Sequence, residues 1–254
     1  MGWETTLPAP NGSAVDFCNY HEIQLRPEGR SLLQGYLSTQ QYFELLMENR
    51  CYADARRVLA QALPKRRALW WGCLCAWDLY RPQPPEKVDH VLQAVVRFVL
   101  EPSEGNRRAA AECARAVEPN SLANCLAMAA FCSGGSIAPE GLPCVDPRPF
   151  ITGRLVGVAV YLASVLRDPA QYTDRLRQYL AVGVEVSQGT NLWTDGGTMP
   201  FAEEEASSVG PIPTAETAPV GQTLQIPVGL TGVVAEELLV QAPSADQEEV
   251  VAVS

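Results

Sequence analysis

The groups that could do chemistry are few and scattered. Eight cysteines (Cys18, Cys51, Cys73, Cys75, Cys113, Cys125, Cys132 and Cys144) and two histidines, His21 and His90, are the candidate thiolate and imidazole ligands. Structural zinc wants paired knuckles with ligands two to four residues apart. The one close pair, Cys73-Leu74-Cys75, would point its sulfurs about 200° apart on a helix. Cys18 and His21 have a ligand's spacing but no second pair to complete a tetrahedron. The cysteines therefore read as small apolar core residues, and no metal is expected. A nucleophilic Ser/His/Asp or Cys/His set would have to use His21 or His90. His90 falls on the polar face of a predicted helix, and His21 lies in an irregular opening. No G-x-S-x-G, P-loop or G-x-G-x-x-G is present. No catalytic residue is assigned and no cofactor is expected.

Other polar features have plainer uses. The run Ser133, Gly134, Gly135, Ser136 could aim backbone N–H groups at an anion or a partner, and its glycines also make a helix stop. The loop 134–149 that follows is long for a helix–helix connection. Roofing a wall of Trp70, Trp71 and Trp77, it would enclose a pocket for a small ligand or an enzymatic site, the alternative functional reading. Arg56-Arg57, Lys65-Arg66-Arg67 and Arg107-Arg108 are flanked by acids and read as solvated helix faces. One of them could receive an acidic segment through salt-sensitive pairs.

The elements that must position these groups are helices. Ser38 with Gln41 forms a capping box before Tyr42, Phe43 and Leu46. Tyr52, Ala55, Val58, Leu59 and Ala62 hold the 3.6 period, and Pro64 ends that segment. The spacing predicts further helices over 65–80, 86–100 and 104–117, with Ser103 as N-cap of the last. Others follow over 121–132, 150–167 and, opened by Asp168-Pro169, over 169–188 with Gly189 as its stop. Three of them, 65–80, 121–132 and 150–167, are apolar nearly all round and need cover on several sides. The apolar run within 150–167 is shorter than the ~20 residues that span a bilayer, so no membrane span is expected. No segment alternates like a strand. The expected fold is all-α: a compact bundle of about eight helices over 37–189, after an irregular segment over 1–36.

Charge divides the chain differently. Residues 189–254 hold ten acidic groups and no Lys, Arg or His, so the whole net charge of -10 sits there. With Pro200, Pro211, Pro213, Pro219, Pro227 and Pro243 interrupting it, residues 190–254 read as a disordered acidic tail. Within it Leu230, Val234 and Leu238 recur every four residues, a motif that could fold as one short helix on a partner. The acidic balance argues against nucleic-acid binding. The opening lacks a basic start and an apolar run, so no secretory signal is read and the expected compartment is the cytoplasm.

Several strings occur together: Trp70-Trp71-Gly72-Cys73, Arg107-Arg108-Ala109-Ala110-Ala111, Phe131-Cys132-Ser133-Gly134-Gly135-Ser136-Ile137-Ala138-Pro139, Pro149-Phe150-Ile151-Thr152-Gly153 and Gly183-Val184-Glu185-Val186-Ser187-Gln188-Gly189. In this order the chain resembles an uncharacterised family of bacterial all-helical proteins of unknown function, over about residues 36–189. Such proteins can occur near type VI secretion genes, so the resemblance implies an accessory role in secretion; it carries over no catalytic residues. The expected function is that of a non-catalytic bacterial adaptor or scaffold. It would bind protein partners through the helical domain and short motifs in the tail.

Overall fold

The computed structural model describes residues 12–139 and 141–193. Among the described residues there are ten α-helices and no strand: α1 (Ala14–Tyr20), α2 (Pro27–Ser31), α3 (Thr39–Glu48), α4 (Tyr52–Ala62), α5 (Lys65–Leu79), α6 (Glu86–Leu100), α7 (Glu104–Ala114), α8 (Leu122–Phe131), α9 (Ile151–Leu166) and α10 (Tyr172–Gln188). The fold is all-α. None of these helices is long and apolar enough to cross a membrane. The tail motif Leu230, Val234 and Leu238 lies outside the described residues.

The caps fall largely where the residue types put them. Ser38 accepts from the Gln41 amide and Gln41 answers from its side chain; Ser103 and Ser121 accept from Asn106 and Asn124. Gly189 closes α10 in the left-handed region at φ 80°. Two expectations are corrected. The opening is not irregular throughout: α1 starts on a capping box between Ser13 and Asp16, and α2 starts at a proline whose fixed φ suits a first turn. Both helices are too short to display a period. α2 also takes its cap from another element, the Asp54 carboxylate of α4 accepting from the Arg26 amide at 3.1 Å. Asp168 does not open one long helix either. Its side chain accepts from Ala170, two residues on, which tightens Pro169–Gln171 into a 3-10 turn before α10.

The helices that read as apolar all round are the interior ones. α9 packs against α4, α5, α8 and α10, while α6 and α7 cover the far side of α8. α10 crosses α5 and α4 closely at Gly183, where an added Cβ would stand 2.7 Å from Leu59 Cδ2 and from the Trp71 ring.

One end of the bundle is organised by a triplet of cations. Lys65 Nζ donates to the Ser133 carbonyl at 2.7 Å, Arg66 Nε to Val99 at 2.9 Å and Arg67 Nη1 to Ser187 at 2.8 Å. These carbonyls lie at or just past the C-terminal ends of α8, α6 and α10. The last turns of helices have unpaired carbonyls and a negative dipole end, so three consecutive cations from the start of α5 complement three helix ends at once.

Candidate functional site: a loop held by Arg107 and Arg108

The run Ser133–Ser136 follows α8 and opens the loop that returns to α9. Its chemistry in place is that of an acceptor. Arg107, on α7, donates from Nη1 to the Phe131 carbonyl and from Nη2 to the Ser136 carbonyl at 2.7 Å. Arg108 donates to Ala138 at 3.1 Å and to Ser136 at 3.4 Å. Glu104, one turn back, receives both guanidinium groups, with Nε–O distances of 2.7 Å each. The hydrogen bond from Arg107, then that from Arg108, holds the Glu104 carboxyl down to about 2. Arg107 also lies over the Phe131 ring, 4.7 Å from its centre. Gly135 sits against this network at φ 64°, where an added Cβ would be 3.2 Å from both Arg107 Nη2 and Glu104 Oε2.

The loop closes on Ser136. Its hydroxyl accepts from the Ala138 and Val145 amides at 3.1 and 3.0 Å, and the Ile137 amide donates to the Val145 carbonyl at 2.8 Å. Thr152 of α9 reaches back to the Cys132 carbonyl. The outcome is a tied base and an apolar tip: Leu142 and Val145 are 61% and 50% exposed, and Pro143 and Cys144 between them are exposed too. Proline and glycine made the loop visible in sequence. Which of its residues stand out to solvent had no sequence signal.

The reading of the basic clusters as solvated faces is overturned for their principal members. Arg56 and Arg107 are 2% and 3% exposed. Arg56 lies in the seam between α4 and α9 with its guanidinium 5.4 Å from the Tyr161 ring centre, and Arg57 pairs with buried Asp54 at 3.0 Å. Arg66 and Arg67 are committed to helix-end carbonyls, as described above. A planar guanidinium that satisfies several carbonyls tolerates burial that an unpaired cation does not.

The tryptophans of α5 bond to α10 and to the chain just past it. Trp70 and Trp71 are buried, and Trp77 is half-buried. Trp71 Nε1 donates to the Tyr179 carbonyl at 2.7 Å, inside the α5–α10 contact. Trp70 Nε1 donates to the Asn191 carbonyl at 2.9 Å. The Trp70 ring meets Trp77 and Trp193 edge-on, at 5.6 and 5.9 Å between centres, and Arg66 covers Trp193 at 4.9 Å. They tie the chain beyond α10 to α5.

Burial pushes the Cys18, Cys73 and Cys125 thiols up to about 12, which keeps them protonated and unreactive. Among the described residues no group of three or more His, Cys, Asp or Glu side chains is placed to hold a metal ion.

No curated protein and no solved structure matches this chain. A family model matches residues 42–187, from within α3 almost to the end of α10, and its description is that of a family of unknown function, DUF6931. That span is more than half of the 254 residues and includes Arg107, Arg108 and the whole loop they hold; the chain belongs to this family.

Proposed function

We propose that the chain is a non-catalytic bacterial adaptor or scaffold of the cytoplasm, accessory to secretion. It binds protein partners through its helical domain and through short motifs in the acidic tail. The observation that carries this reading is the 133–149 loop, whose backbone is fastened to α7 and closed on its own Ser136 hydroxyl while Leu142 and Val145 face solvent. A preorganised loop loses little conformational freedom on binding, and apolar side chains at its tip supply contact area. The acidic surplus of residues 189–254 and the spacing of Leu230, Val234 and Leu238 support a second, tethered contact. The resemblance of the strings named above to bacterial proteins near type VI secretion genes supports the setting.

The test is affinity capture from the native cell with three chains: the full protein, the L142D/V145D variant, and a chain ending at Trp193. Retained binding by the full chain and loss of a partner with either change is the expected result. Identical partner sets for all three would remove the reading.

A further inference from the structure

The segment carrying α1 precedes the family-matched span and meets the bundle where α4 ends and α9 begins. Its helix α1 packs on α3, with Ala14, Phe17 and Cys18 buried. The Ala14 amide donates to the Leu37 carbonyl at 2.7 Å, and Glu22 pairs with Arg154 of α9 at 2.7 Å. An aromatic cluster surrounds His21, whose ring centre lies 4.3 Å from Phe17, 5.1 Å from Tyr20 and 4.7 Å from Phe150. Gln61 of α4 sits beside this cluster and donates to the Phe150 carbonyl at 3.1 Å. His21 Nδ1 is buried and has no hydrogen-bond partner.

We propose that His21 is an acid-sensitive latch for the end of this segment: neutral, it packs tilted and edge-on among the three rings and holds the C-terminal end of α1 against α4 and α9; protonated, it loosens that end and lowers the protection of α1. A neutral imidazole needs one donor site and tolerates an unpaired ring nitrogen. The imidazolium carries a second N–H; Nδ1 is buried and makes no hydrogen bond, and the Gln61 side chain is the one neutral group beside the ring that favours the charged form, against the cost of burying it.

The charged groups on the surrounding elements offer no rescue. Asp16 of α1 is taken by the Ser13 cap, Glu22 by Arg154, and Asp54 of α4 by Arg57 and the Arg26 amide. Arg148 and Arg154 at the approach to α9 bear the same sign as an imidazolium. The Cys18 thiol is neutral, and the Tyr20 phenol belongs to the cluster itself. Desolvation accordingly lowers the His21 pKa below its ordinary value, with the Gln61 side chain working the other way. Since the folded value is the depressed one, the latch is intact above the ordinary histidine value of about 6.5 and weakens as pH falls below it.

Two measurements on the full chain test this. In an NMR titration of the imidazoles, with H90Q to assign the two histidines, His21 should titrate below that ordinary value. In hydrogen exchange corrected for the intrinsic effect of pH, protection of the α1 amides should fall about tenfold relative to α8 between pH 7.5 and 5. H21F, which keeps the ring packing and cannot titrate, should abolish that fall. A His21 that titrates at or above the ordinary value, α1 protection indifferent to pH, or an unchanged fall in H21F would each overturn the latch. Should H21F not fold, the titration of the unsubstituted protein decides.

Discussion

Arg107 shows how a cation comes to be buried. Its guanidinium spans the Glu104 carboxylate and two carbonyls, so four charge-assisted hydrogen bonds offset its transfer out of water. The carboxylate half of the pair is 55% exposed, and screening keeps its own contribution small. Its pKa is depressed, so the stability it lends is fully present above the ordinary carboxyl value of 4.5 and disappears as pH falls toward about 2. E104Q should therefore cost about 1 kcal/mol near neutrality. In thermal unfolding across pH, the gap to the unsubstituted protein should close in acid; a gap independent of pH would show that charge is not what Glu104 contributes. None of this was legible in the string Arg107-Arg108, because a charged residue beside acids on a helix carries the same pattern whether it faces water or a set of carbonyls. The Ser133–Ser136 run was legible as a chain stop. Its role as acceptor was not, since the donors come from α7, far along the sequence.

Among the elements, the helices whose apolar residues run all round were placed correctly as interior, and periodicity alone sufficed for that. α1 and α2 escaped because five to seven residues do not complete enough turns to show a face. The Ser13-x-x-Asp16 signature was the available signal, and it is a common one. What periodicity cannot supply is how closely two helices approach. Gly183 lets α10 meet Trp71 and Leu59, and the Trp71 indole is itself fixed on Tyr179. G183A would gain about 1 kcal/mol of helix propensity and meet two buried side chains that cannot both yield, at about 1–3 kcal/mol for overpacking. The packing effect should win. Chemical denaturation should find the variant less stable by up to about 2 kcal/mol, and a more stable G183A would mean that α10 can move away from α5 at no cost.

For the whole molecule, the packed body extends past the point where the charge changes. Gly189 ends α10, but Asn191 and Trp193 fold onto Trp70, which charge composition gave no reason to expect. A chain ending at Gly189 leaves the Trp70 N–H without its carbonyl and removes an aromatic pair, together about 1–2 kcal/mol. A chain ending at Trp193 keeps both. Thermal unfolding of the two should separate them, with the shorter melting lower; equal melting temperatures would show that the Trp193 strap adds nothing.

The triplet Lys65-Arg66-Arg67 has a consequence for how this domain comes apart. Helices held only by their own caps can fray one at a time, each from its own tip. Here the final turns of α6 and α10 and the exit of α8 share a single fastening. Undoing that stretch of α5 frees three termini together, so breathing at this end should come as one collective event, and a protein built this way has little use for partial opening there.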